Sequence, residues 1–121
     1  MPHMNPTTIK PYCRFTTGEA DGSWYSIADR PSGSVIKIET LTIANKQLHD
    51  EYIISLATGT QSNIWMKSKI PSSGTLHAVM GEAPYYLTTA DNIYLKVELA
   101  DGGTISTEDV VIVVGGLEII S

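Results

Sequence analysis

The chain lacks the features that mark several protein classes. It has a single cysteine, Cys13, which excludes an internal disulfide and is typical of synthesis in a reducing compartment. No apolar run approaches the roughly 20 residues needed to cross a membrane. Residues 1–10 have no apolar core of the signal-peptide kind. We therefore expect no membrane association.

Charge is also scarce, and most of it is negative. Charged residues make up 17% of the 121 residues, and the formal net charge is −5. An acidic surface repels phosphate groups, so the composition argues against nucleic-acid binding.

A chain of this length fits one domain that buries roughly two thirds of its unfolded surface. Such a domain needs neither a metal nor a disulfide to fold.

No segment has a helical period long enough to predict a helix, whereas alternation of apolar and polar residues recurs along the chain. The clearest case is Ile93–Leu99, where the odd-numbered residues are apolar and the even-numbered ones are Tyr94, Lys96 and Glu98. A period of two indicates a strand with one buried face. Thr88–Asn92 is rich in turn-forming residues. Pro84–Ala100 is therefore predicted to form a hairpin.

Turn residues separate about eight such segments, at the spacing of roughly 8–12 residues that is typical of sandwiches and barrels. We therefore predict an all-β fold, an antiparallel β-sandwich of jelly-roll type. The inward positions predict a core that includes Ile54, Leu56, Leu76, Ile93, Leu95, Val97, Val111 and Val113.

Some strands carry further detail. In Val35–Asn45 the apolar phase changes between Ile38 and Leu41, which predicts a bulge near Glu39-Thr40. Trp65 is expected on the face opposite its neighbour Met66. Met80 is expected to align with the inward residues of its strand.

The first 20 residues are predicted to form an extended arm, with the sandwich occupying residues 21–121. Pro2, Pro6 and Pro11 make a regular helix unfavourable there. Apolar anchors within the arm suggest that it docks on a neighbouring subunit, and these anchors are Ile9, Tyr12 and Phe15.

No group of residues in the sequence predicts catalysis, a cofactor or a metal site. The three histidines, His3, His49 and His77, are far apart, and none has a second ligand at metal spacing. Cys13 has no motif around it that would lower the pKa of a thiol. The acidic turns lack the density of oxygen ligands found in a dedicated calcium loop.

Aromatic residues on strands give the clearest candidates for binding. Each predicted strand has only one inward face, so some of these rings must lie on the surface or in a partner, unless they fill the rim of the sandwich. With the anchors of the arm, the predicted interface residues are Ile9, Tyr12, Phe15, Trp24, Tyr25, Trp65, Tyr85 and Tyr86.

Four motifs follow one another between Ser34 and Ile120. They are Leu41–Asn45 (LTIAN), Ile70–Leu76 (IPSSGTL), Asp91–Val97 (DNIYLKV) and Ile112–Ile119 (IVVGGLEI). In order and spacing they resemble the small jelly-roll virion structural proteins of tailed bacteriophages. That group usually has Gly-Asp before the third strand motif, where this chain has Ala90-Asp91.

The resemblance implies a virion component without enzymatic activity that forms a homo-oligomer, such as a trimer. The implied partners are the major capsid protein or other virion subunits, and the implied location is the virion, assembled in the host cytoplasm. Within this group, the small acidic chain with its arm best fits a capsid decoration (cement) protein that stabilises the head by bridging capsid subunits.

Two other functions stay open from the sequence. One is a tail, neck or fibre-associated component built on the same jelly roll. The other, of a different class, is a carbohydrate-binding module with Trp24, Trp65 or the tyrosines as sugar platforms. Copy number and location in a purified particle, and retention on a glycan column, distinguish these functions.

Overall fold

A computed structural model describes residues 8–89, 92–101 and 103–120. These residues form nine β-strands and no helix, so none of them belongs to a helix that could span a membrane. The predicted all-β class is confirmed. The strands are β1 (Thr8–Ala20), β2 (Trp24–Asp29), β3 (Ser34–Asn45), β4 (Tyr52–Thr58), β5 (Ile64–Ile70), β6 (Thr75–Val79), β7 (Tyr85–Leu87), β8 (Asn92–Leu99) and β9 (Ile105–Ile120).

The strands form two antiparallel sheets that enclose one core. The first sheet has the order β1-β9-β3-β6, with β7 also paired to β3, and the second has the order β2-β8-β4-β5. When β7 is set aside, the strand order is that of a jelly roll, an eight-stranded sandwich of two Greek keys. The predicted jelly-roll sandwich is confirmed.

The predicted Ala90-Asp91 turn residues, and Gly102 in the next turn, lie outside the described residues.

One cluster of apolar side chains fills the space between the sheets. Leu76 is half-buried at its border. In strands with one apolar face, the inward side was predicted correctly, because the alternation of apolar and polar residues shows which side faces the core. The predicted core residues that are fully buried are Ile54, Leu56, Ile93, Leu95 and Val97.

The prediction of which β9 residues face the core is wrong. Val110, Ile112 and Val114 are buried between the sheets, whereas Val111 and Val113 are half-buried on the other side. An unbroken apolar run contains no alternation of apolar and polar residues, so its sequence does not show which residues face the core. The pairing of β9 with β1 on one side and β3 on the other decides which residues face inward.

The bulge predicted in β3 is confirmed. Its register against β9 shifts between Ile38 and Thr40, so Glu39 is the extra residue and the inward phase changes there. Gly116 lies opposite the bulge, and a Cβ atom on it would overlap the carbonyl oxygen of Lys37. Glycine is therefore required for the two strands to approach at this point.

Bulges in β5 and β6 overturn two predicted orientations. Leu56 pairs with Met66 and Ala57 with Ile64, so Trp65 is the extra residue and packs against the core. In β6 the register shifts again, and the strand ends with Val79 buried. Met80 is 61% exposed and does not align with the inward residues.

The N-terminal segment differs from the expected arm. Thr8–Ala20 is extended, but it is an edge strand paired antiparallel with β9 from Thr8 opposite Ile120 to Ala20 opposite Ile105. Gly18 and Ala20 are buried. The sandwich therefore includes residues 8–20, and the expectation of an arm applies only to residues 1–7, which lie outside the described residues.

Candidate interface

The side of the β1-β9-β3 sheet that points away from the core is a candidate interface, called here the outer face. Directly paired residues in antiparallel strands point to the same side, so the registers arrange this face into rows across the sheet. One row runs from Ile9 through Ile119 to Val35. Another begins at Phe15, opposite Val113, and continues through Thr42 to His77 in β6.

Apolar side chains occupy most of the outer face. Phe15 is 67% exposed, Ile9 60% and Tyr86 51%. A solvent-facing antiparallel sheet normally alternates to polar residues on its outer side, so an apolar outer side is typical of an interaction surface. The apolar positions are Ile9, Pro11, Phe15, Val35, Ala44, Tyr86, Val111, Val113, Leu117 and Ile119.

Formal charge is almost absent from the paired positions of the outer face. Lys37, opposite Leu117 and Tyr86, is the one Lys, Arg, Asp or Glu among them. The chain as a whole has a net charge of −5. Glu39, the extra residue of the β3 bulge, lies between two of the paired positions. Formal charge is therefore sparse on this face, which suits contact through apolar burial.

Small side chains form the middle row of the outer face. Cys13 lies opposite Gly115, which lies opposite Thr40. A Cβ atom on Gly115 would be 2.8 Å from the Thr40 hydroxyl oxygen, so the threonine leans over the glycine. Larger residues flank this row, with Phe15 on one side and Leu117 on the other. The row is therefore a strip of small side chains beside larger ones.

Tyr12, one of the predicted interface residues, joins the edges of the two sheets. Its hydroxyl accepts a hydrogen bond from the backbone N–H of Asp29 in β2, at 3.0 Å. Arg14 lies two residues further along β1 and donates to the Asp29 carboxylate at 2.5 Å and to the Ser26 carbonyl at 2.9 Å. These bonds hold β1 and β2 together at one side of the sandwich.

Tyr25 and Trp24 are also half-buried. The Tyr25 hydroxyl donates to Asp21 at 2.6 Å. This bond holds the pKa of Asp21 below its ordinary value of 3.8, while burial, together with Asp21, raises the pKa of Tyr25 to about 12. The Lys96 ammonium lies 5.2 Å from the centroid of the Trp24 ring, which is a cation–π contact.

Trp65 and Tyr85 form a stacked pair where β5 meets β7. Their ring centroids are 4.9 Å apart with an interplanar angle of 13°. The Tyr85 hydroxyl shares a 2.8 Å hydrogen bond with the Thr58 hydroxyl. Of the eight predicted interface residues, Ile9, Phe15 and Tyr86 lie on the outer face, and the other five are half-buried.

A polar network at one end of the sandwich was missed in the sequence. Asn45 is 1% exposed, and its amide donates to the carbonyl of Asp50 at 2.8 Å. Asp109 accepts hydrogen bonds from Tyr52 at 2.6 Å and from Gln47 at 3.0 Å. Burial, together with this carboxylate, raises the pKa of Tyr52. The asparagine that ends the Leu41–Asn45 motif was the available signal, because a buried amide at a strand end needs loop carbonyls as partners.

The described ranges contain no group of three or more His, Cys, Asp or Glu side chains arranged to hold a metal ion. His49 and His77 are both exposed, and His77 lies at the end of the Phe15 row.

The strand order defines a jelly-roll β-sandwich, and the outer side of its first sheet is largely apolar. The fold is similar to a chain in an acidic stable capsid structure of Helicobacter pylori bacteriophage KHP30, with a TM-score of 0.54 and 12% identity over 95% of this chain and 94% of that chain. A chain of the cyanophage Pam1 capsid asymmetric unit matches with a TM-score of 0.48 and 10% identity, over 100% and 91% of the two chains. No family model matches the sequence, and no curated protein does.

Proposed function

We propose that this protein is a non-enzymatic structural component of a bacteriophage virion. Specifically, it is a capsid decoration (cement) protein that stabilises the head by bridging capsid subunits. The observation that carries the proposal is the jelly roll, which matches a chain in a phage capsid structure over 95% of this chain and 94% of that chain. The motifs Leu41–Asn45 and Ile112–Ile119 lead from the sequence to the same group of proteins.

The surface chemistry supports assembly by burial of apolar area. Phe15 and Ile9 are highly exposed on a sheet side that is nearly free of formal charge. Contacts of this kind survive salt, whereas ion pairs and phosphate binding weaken as salt rises. The proposed partners are the major capsid protein and further copies of this chain, within a virion assembled in the host cytoplasm.

A carbohydrate-binding function has weaker support. Sugar platforms need an exposed aromatic face. Both tryptophans are half-buried, and of the tyrosines predicted at the interface only Tyr86 is exposed. Trp65 is stacked on Tyr85, and Lys96 lies over Trp24.

The test is the copy number and location of the protein in purified particles of the phage that encodes it. Quantitative mass spectrometry, with the major capsid and major tail proteins as internal standards, should give hundreds of copies per particle. Immunogold labelling should mark the heads, and heads lacking the protein should release DNA at a lower temperature.

Two results would contradict the proposal. A few copies per particle, labelled on tails, would assign the protein to the tail, neck or fibres. Absence from particles combined with retention on a glycan column would assign it to carbohydrate binding.

A further inference from the structure

The outer face has the properties that contact between two identical copies requires. An interface about a twofold axis must carry both halves of each contact on a single surface. Here the small row of Cys13, Gly115 and Thr40 lies between the larger residues Phe15 and Leu117. One surface therefore offers both large side chains and a strip of small ones against which they could pack.

The size of this face agrees with a stable dimer. Its rows extend over nine residues of β1, from Ile9 to Thr17, which corresponds to roughly 26 Å, and four strands across correspond to roughly 19 Å. Two copies would therefore cover on the order of 1,000 Å² in flat projection, which is about the minimum for a specific protein interface. Side chains that interdigitate would bury more than the flat projection.

The charge distribution favours a second copy as the occupant. A chain with a net charge of −5 repels its copies wherever acidic side chains meet. At the paired positions of the outer face, Lys37 is the only formal charge. Two copies that meet through this side therefore bring few charged side chains together, with Glu39 in the β3 bulge the acidic residue among them.

We propose that two copies of this chain form a dimer by packing their outer faces together about a twofold axis, as two sheets pack in a sandwich. The inference rests on the homo-oligomer in the proposed function and deepens it by naming the surface and the symmetry. Phe15 is the main anchor, because it is the most exposed apolar side chain of the face and lies beside the strip of small side chains.

Sedimentation of the purified full chain across a range of concentrations tests the dimer. The wild type should show a monomer–dimer equilibrium, and Phe15→Lys should raise its dissociation constant by more than about tenfold, since a lysine would be buried without a partner. Ile64→Lys is the matched control, because Ile64 is 46% exposed on β5 of the other sheet. This control should dimerise as the wild type does.

The thiol of Cys13 provides a second measurement on the face itself. Cys13 is exposed in the monomer, so a maleimide should label it at low protein concentration and more slowly once the dimer forms. Phe15→Lys should restore fast labelling at high concentration, whereas Ile64→Lys should not. Circular dichroism that matches the wild type would show that Phe15→Lys still folds.

A monomeric or trimeric wild type, or equal dissociation constants for Phe15→Lys and Ile64→Lys, would overturn the dimer. If the chain is monomeric and Phe15→Lys loses binding to heads, the outer face contacts the capsid, so the proposed function stands and the dimer does not. If the dimer forms but the protein is absent from particles, the proposed function fails and the dimer stands.

Discussion

At the scale of single residues, the tightest constraint lies where β9 passes the bulge of β3. The backbone around Lys37 occupies the place of a side chain at Gly116, and an added Cβ would overlap the Lys37 carbonyl oxygen. Backbone cannot rotate away as a flexible side chain can. A single methyl group at this position must therefore separate two central strands of the sheet.

We expect Gly116→Ala to lower the free energy of unfolding by about 1–3 kcal/mol or more, as overpacking does. Gly81→Ala is the control, because no atom lies within 4 Å of an added Cβ there. Urea unfolding of the two variants measures the difference. Equal midpoints would show that the bulge can move away from β9 at little cost.

The bond between Tyr25 and Asp21 makes stability depend on pH in both directions. The folded pKa of Asp21 is lowered, so its contribution is present above 3.8 and is lost as the pH falls through the lowered value. The pKa of Tyr25 is raised to about 12, so its contribution is present below 10.0 and is lost as the pH rises toward 12.

Tyr25→Phe removes the bond and should reduce the loss of stability on acidification below pH 3.8 relative to the wild type. The measurement is the change in urea midpoint between neutral and acidic pH. Tyr86→Phe is the control, since Tyr86 is 51% exposed on the outer face, and it should keep the acid dependence of the wild type. An unchanged acid dependence in Tyr25→Phe would contradict the role of the bond.

At the scale of elements, β1 has two structural functions. Its backbone pairs with β9 along the edge of one sheet, and Tyr12 and Arg14 join it to Asp29 of the other sheet. Its outward residues Ile9 and Phe15 form one border of the outer face. The segment read as an arm is therefore part of the fold as well as of the candidate interface.

Deletion of residues 1–20 should abolish cooperative unfolding or greatly lower its midpoint. The deletion exposes the hydrogen-bonding edge of β9, removes buried Gly18 and Ala20, and releases the contacts to Asp29. Addition of a peptide spanning residues 8–20 should restore part of the transition, and a scrambled peptide should not. A truncated chain that unfolds at the wild-type midpoint would make β1 an accessory strand.

At the scale of the whole molecule, the jelly roll pairs the first strand with the last. The pairing of Thr8 with Ile120 closes a loop that contains nearly the whole chain. Non-local pairing of this kind requires loop-closure entropy to be lost before contacts form, so it slows folding.

We therefore expect folding in milliseconds to seconds, as in other all-β sandwiches. Stopped-flow fluorescence of Trp24→Phe would report on Trp65 alone as it stacks on Tyr85. Leu48→Phe is the control, because Leu48 is 72% exposed. A new phenylalanine at this surface position should leave the folding rate unchanged. Folding in microseconds would contradict a rate limited by long-range pairing.

The sequence alone determined the fold class and the inward face wherever apolar and polar residues alternate. Ile93, Leu95 and Val97 could be oriented from their own strand, because polar neighbours separate them. The bulge in β3 was also readable, since two apolar phases within one strand can both face inward only if an extra residue lies between them.

Only the tertiary structure decided three features: the inward face of β9, the packing of Trp65 against the core, and the position of β1 at the edge of the first sheet. Val110–Val114 are all apolar, so their phase came from pairing with β1 and β3. The outer face exists because that pairing brings Phe15, near the start of the chain, beside Val113, near its end. A local pattern carries no information on contacts between residues so far apart in sequence, because those contacts depend on how the complete sheet is assembled.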